Sequence, residues 1–105
     1  MEIIVHQIRL LDIARASEFE EWVLHTDYPA CPDLPSVRQF SVQKVSAEPD
    51  APFHYFEIIA VTSAADFERD MALPAFSALV RRFTAMAEVA GDLSGTRLGE
   101  GYRAV

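Results

Sequence analysis

Two stretches of this chain are apolar on both parities, and nothing else in the sequence limits the fold so tightly. Ile3 to Leu11 is rich in β-branched residues, and Phe53 to Val61 reads Phe-His-Tyr-Phe-Glu-Ile-Ile-Ala-Val. Each has the length and composition of a strand. Successive side chains of a strand point to opposite faces, so a sheet with one wet side shows apolar and polar residues in alternation. In the first run Ile4, His6, Ile8 and Leu10 share one face and Ile3, Val5, Gln7 and Arg9 the other. In the second, His54, Phe56, Ile58 and Ala60 oppose Phe53, Tyr55, Glu57, Ile59 and Val61. Both faces of such a sheet need a cover.

The remaining segments supply cover for one face only. Ser17 and Glu20 have the spacing of a capping box, and Phe19, Trp22, Val23 and Thr26 recur at helical intervals. The spacing predicts a helix that stops before Pro29, since a residue preceding proline avoids helical geometry. Asp27 to Pro35 holds three prolines and reads as a stiff loop. A second strand is predicted over Ser36 to Val45 and a turn over Ser46 to Pro52. Thr62-Ser63 opens a helix, and a further helical segment starts at Pro74, with Phe76, Leu79, Val80, Phe83, Met86 and Ala87 along one side. Gly91 reads as the helix stop and Leu93 to Val105 as a weaker last strand.

The order βαββαβ is a signature of the ferredoxin-like α+β fold, here one domain over residues 1–105. The first and third strands are expected side by side in the centre, running parallel. Both helices lie on one sheet face, so the other is expected to pack on a second copy, giving a homodimer. The alternative is that the loop and the C-terminal segment fold over it. A chain of this size hides only about two-thirds of its unfolded surface, which favours the partner.

The charge balance narrows the ligand. A net charge of −7 and a pI near 4.8 disfavour nucleic acid and anionic membranes, which want a basic face. The single cysteine, Cys31, excludes an internal disulfide, and no spacing of Cys and His suggests a metal. With no apolar run of about 18–20 residues and no basic leader, the chain is expected to be cytoplasmic.

Chemistry is expected at the histidines first. The parity above puts His6 and His54 on the helix-covered face with Ile4, Ile8, Phe56 and Ile58, where apolar neighbours cannot satisfy an imidazole. A pocket between sheet and helices would satisfy both rings and make them acid/base groups, whereas two histidines with no carboxylate on their face make a poor metal site. The plain reading is a pair of satisfied core histidines. His25, Thr26, Asp27 and Tyr28 end the first helix. His25 there is explained by the helix dipole, but Asp27 is not, which makes Asp27 a functional candidate. Trp22 is expected to face the sheet, as core or as ligand platform. Phe40 and Phe56 would line the pocket, with Arg38 a cation at its mouth. Arg9 and Glu57 are expected to pair across strands or across the dimer, and Cys31 to be a structural thiol.

Several of these segments together resemble one family. His6-Gln7-Ile8-Arg9-Leu10, Thr26-Asp27-Tyr28 with Cys31, Leu34-Pro35-Ser36-Val37, and Pro52-Phe53-His54-Tyr55-Phe56-Glu57 followed by Phe67 and Pro74-Ala75-Phe76 are similar to the RedY/HapK-like proteins, over Ile3 to about Tyr102. The resemblance implies a dimeric α+β barrel encoded beside prodiginine and bisindole alkaloid pathways. It implies a small, cofactor-independent biosynthetic enzyme that hydrates or tautomerises a reactive indolic or pyrrolic imine, with an upstream oxidase as a further partner. His6, His54 and Asp27 would be its acid/base or orienting groups, with Thr26 and Tyr28 closing the pocket. Two alternatives stay open: a carrier that shields an aromatic heterocycle, and a cofactor-free monooxygenase, the latter on fold analogy alone.

Overall fold

The computed structural model describes residues 1–105. Strands β1 (Glu2–Leu10), β2 (Val37–Lys44), β3 (Tyr55–Val61) and β4 (Ala87–Thr96) form one sheet in the order β2-β3-β1-β4. The central pair is the expected one, β1 and β3, but it is antiparallel, not parallel. The connections explain the correction. β2 and β3 are joined by a short turn and pair antiparallel, and β3 lies between β1 and β2. The helical crossover from β1 to β2 leaves those two strands parallel, so β3 opposes both.

This register also changes which residues share a face. Val5 pairs with Ile58, His6 with Glu57 and Ile8 with Tyr55. Even positions of β1 therefore stand beside odd positions of β3, and Glu57, Tyr55, Ile59 and Val61 join Ile4, His6, Ile8 and Leu10. Phe56 and Ile58, expected under the helices, lie on the opposite face with Val5 and Gln7. Arg9 and Glu57 accordingly point to opposite faces and do not pair. Arg9 approaches Glu88 at 3.9 Å, and Glu57 bonds His6 instead.

The first helical arm begins earlier and runs further than its sequence suggests. Asp12, not Ser17, caps it, accepting from the Ala14 N–H at 3.0 Å ahead of a 3-10 turn over Ile13–Arg15. Ser17 lies inside helix α1 (Ala16–Trp22), whose Phe19 and Trp22 are buried against Ile8, Leu10 and Tyr55. Instead of stopping before Pro29, the chain widens into a π-helical turn over Val23–Asp27 and continues through α2 (Tyr28–Ala30) and a 3-10 turn, Cys31–Asp33. In an α-helix the Pro29 ring would clash with the carbonyl four residues back. The wider turn, in which the Tyr28 N–H donates to the Val23 carbonyl five residues back, accommodates it.

The second crossover follows its signals more closely. Ser63 caps α3 (Ala64–Asp70) by accepting from the Asp66 N–H at 3.0 Å, and Pro74 occupies the first turn of α4 (Pro74–Met86). Buried Asp70 ties α3 to the start of β2 by accepting from both the N–H and the hydroxyl of Ser36, at 2.8 and 2.5 Å. Helix α4 ends at Met86, and β4 starts at once and runs through Gly91, which is no helix stop. Gly91 stands opposite Gln7, where a Cβ would meet the Gln7 side chain, and the register slips just beyond it, between Gln7 and Ile8. The last strand closes at Thr96, and residues 97–105 leave the sheet with Leu98 and Tyr102 exposed.

Candidate active site

The helices do not close fully on the sheet. Between them lies a cavity of about 850 Å³, walled by Ile4, Ile59, Val37, Phe40, Leu34, Trp22, Phe67, Phe76, Leu79 and Phe83. Among its polar residues, three come together from different elements, His6 from β1, Glu57 from β3 and Asp27 from the end of the π-helical turn, with Glu68 and Thr84 contributed by the helices. Asp92, on β4 opposite His6, stands at its edge.

His6 and Glu57 face each other across the central strand pair, and the His6 Nδ1–H donates to Glu57 Oε2 at 2.8 Å. That bond, helped by the charges of Glu57 and Asp92, raises the imidazole above its ordinary value against the opposing effect of burial. The bond also fixes the ring so that Nε2 is the nitrogen left for a ligand. Asp27 has no such partner. Burial in the cavity wall pushes its carboxyl up to about 7, and the nearby charge of Glu57 adds to the effect. Near neutral pH the site thus holds a carboxylic acid poised to give a proton beside an imidazole–carboxylate pair, a combination suited to acid/base work.

The π-helical turn gives Asp27 this position. The widened turn breaks the α-helical spacing that leaves His25 and Thr26 exposed, and it carries Asp27 into the cavity wall. Such single π turns recur at functional sites in other proteins. Cys31, one turn further, also touches the cavity. Its thiol points to the Asp27 carbonyl at 3.7 Å, and burial, with Asp27 and Glu57, pushes it up to about 11, which leaves it protonated and unreactive at neutral pH.

The other expected site residues lie elsewhere. His54 does not share the cavity with His6: it is 1% exposed and bonded to the 46–52 turn, just before β3. The Leu10 N–H donates to its Nδ1 at 3.0 Å, and its Nε2–H donates to the Glu48 carbonyl at 3.0 Å, so both ring nitrogens are occupied in holding β1 to that turn. His25 is on the surface, 3.1 Å from Glu21, and Thr26 is exposed. The Tyr28 hydroxyl accepts from the Val42 N–H at 2.9 Å, and its ring packs edge-on against Phe40. Tyr28 and Arg38 line a smaller neighbouring cavity of about 310 Å³ with Cys31, Val37 and Phe40. Phe56 is on the opposite sheet face. Of the ten expected residues, the large cavity receives His6, Asp27, Trp22 and Phe40. Trp22 also carries the chain's one buried side-chain polar atom without a hydrogen bond, its Nε1–H.

Sequence reasoning missed Glu57 and Asp92. Glu57 was hidden by the face assignment, because the sequence alone does not give the strand register. The signal was its type: an acid inside a run of eight otherwise uncharged residues needs a partner.

A four-stranded antiparallel sheet in this order, with its helices on one face, defines a ferredoxin-like α+β protein. The sequence matches the model of the REDY-like protein HapK family over residues 2–98, and the chain belongs to that family. It is 50% identical to HapK from Hahella chejuensis, whose crystal structure superposes with a TM-score of 0.99 over 100% of both chains. SnoaB from Streptomyces nogalater, a cofactor-independent oxygenase, is 19% identical over 92% of each chain, with a TM-score of 0.70. A dabb family protein with a ferredoxin-like fold from Mesorhizobium loti is 18% identical, with a TM-score of 0.66, over 94% of this chain and 100% of its own. At these identities the last two show the fold alone. No curated protein matches the chain. No helix is long and apolar enough to cross a membrane.

Proposed function

We propose that the chain is a small biosynthetic enzyme that, without a cofactor, moves protons on a reactive indolic or pyrrolic imine. One observation carries this reading: the His6–Glu57 pair and the half-buried Asp27 carboxyl converge inside a chamber whose walls are mostly apolar and aromatic. In the tautomerisation, Asp27 gives its proton to the imine nitrogen while His6 Nε2 removes one from the adjacent carbon. The C=N bond becomes C–NH, a C=C bond forms beside it, and Glu57 balances the imidazolium. Exchange with water returns a proton to Asp27 and removes one from His6. In hydration, His6 takes the proton of the attacking water instead.

The test is the product ratio of the upstream oxidation with and without the purified protein. The wild type is expected to shift the ratio. His6→Ala and Asp27→Asn, each shown to be folded by circular dichroism, are expected to lose the shift. If both folded variants reproduce the wild-type profile, the chemistry lies elsewhere. Binding without any change in product identity would make the protein a carrier.

A homodimer belongs to the same reading. Ile3, Val5, Phe56 and Ile58 give the face away from the helices an apolar centre, and Gln7, Gln39, Ser41 and Gln43 give it a polar rim, the anatomy of a protein interface. Ile58 is 37% exposed in the single chain, and Leu93, beside Val5, is 71% exposed. A second sheet packed face to face would cover them. Ile58→Asp places a charge at the centre of that patch, and sedimentation is expected to show a folded monomer where the wild type is a dimer. A wild type that sediments as a monomer overturns the assignment.

A further inference from the structure

The charges that line the cavity specify its ligand further than the aromatic walls do. Four acidic side chains border it, Asp27, Glu57, Glu68 and Asp92, while Glu88, also on its rim, shares the opposite sheet face with Arg9. No lysine or arginine borders it. Several cations of the fold are engaged elsewhere. Arg9 donates to the Ala51 carbonyl at 3.4 Å and lies 3.9 Å from Glu88, Lys44 pairs with Glu20 at 2.9 Å, and Arg69 with Asp66 at 2.6 Å. Arg38 lines the smaller cavity next door. His6 is the one basic group inside, and it is bonded to Glu57.

A ligand that brought a carboxylate into this space would have to bury it among like charges with no guanidinium or ammonium to pair with, which proteins avoid. A delocalised nitrogen cation meets the opposite conditions. Its N–H groups find carboxylate acceptors, and its charge can rest against the aromatic faces of the wall, Trp22, Phe40, Phe76 and Phe83. From this lining we infer that the cavity takes a heterocycle with no carboxylate on the part that enters, bound as a protonated or iminium-type nitrogen cation. This deepens the proposed function and rests on it. It also places the protein in a reaction sequence: the step that supplies its substrate is a two-electron oxidation of an amine or ring N–H to the imine level, with the electrons passing to that step's own oxidant.

The experiment uses three probes that share one ring and differ only in the end of the side chain: tryptamine (cationic), indole-3-ethanol (neutral) and indole-3-propionate (anionic). Calorimetric titration of the full chain at pH 7 and low salt is expected to rank them amine, alcohol, acid, with at least tenfold between the first and last. Asp92→Asn together with Glu68→Gln is expected to narrow that span severalfold, by weakening the amine more than the alcohol. If the acid binds as tightly as the amine, the charge assignment is overturned while the cavity remains a heterocycle site. If none of the three binds at millimolar concentration, the reading of the cavity on which the proposal rests fails with it.

Discussion

His54→Ala is expected to cost about 3–5 kcal/mol of folding stability, the range for removing a fully buried aromatic-sized side chain. The ring is 1% exposed. It also accepts from the Leu10 N–H and donates to the Glu48 carbonyl, two backbone groups that lose their partner with it. Leaving such a donor unpaired in the interior costs about 1–3 kcal/mol by itself. His54→Phe separates the two contributions, since it keeps most of the volume and removes both bonds, and it should lose about the hydrogen-bond share alone. Urea unfolding of the three proteins measures both. A His54→Ala midpoint within error of the wild type would show that the 46–52 turn does not depend on the ring. Because this side chain is remote from the cavity, the folded fraction of His54→Ala should still shift the product ratio, in contrast to His6→Ala.

That contrast marks what the sequence could and could not reveal. The strand runs, Ser63 as a helix cap, Pro74 at a helix start and the buried side of Phe19 and Trp22 are local signals, because each depends on residues only a few positions apart. The family was legible too, since whole segments carried it. The roles of the two histidines depended instead on register, a long-range quantity that no neighbouring residue reports. With β3 antiparallel to β1, odd positions of β3 share the helix face, so Glu57 stands beside His6, while His54, just before the strand, is held by Leu10 and Glu48. Asp27 was found for a sound reason, an acid at a helix end that the dipole does not favour. The device that aims it was not visible, because Pro29 signalled a helix end and the chain resolved the clash by widening one turn instead.

Asp27→Asn should make the protein more stable at pH 8 and leave it nearly unchanged at pH 4. The sign follows from linkage. Burial raises the folded-state carboxyl from 3.8 to about 7, so the folded protein holds this proton where the unfolded chain has already lost it. The advantage of the protonated form is fully present below about pH 4 and is lost as pH rises through about 7. At about 1.4 kcal/mol per pKa unit the accumulated penalty is at most roughly 4 kcal/mol, and water in the cavity lowers it. His6 acts in the same direction: its bond to Glu57 raises it, so its contribution too is lost as pH climbs through its folded-state value. Asparagine keeps the size of Asp27 and has no charge to bury. Thermal melts at pH 4 and pH 8 should therefore show the variant gaining on the order of 10 °C at the higher pH only, at about 4–8 °C per kcal/mol for a domain of this size. Equal melting temperatures at pH 8 would mean that the carboxylate is solvated in the folded protein and cannot serve as the acid. The expected gain in stability, together with the expected loss of the product shift, is what a functional acid predicts: a group kept at a cost to the fold because the reaction needs its proton near neutral pH.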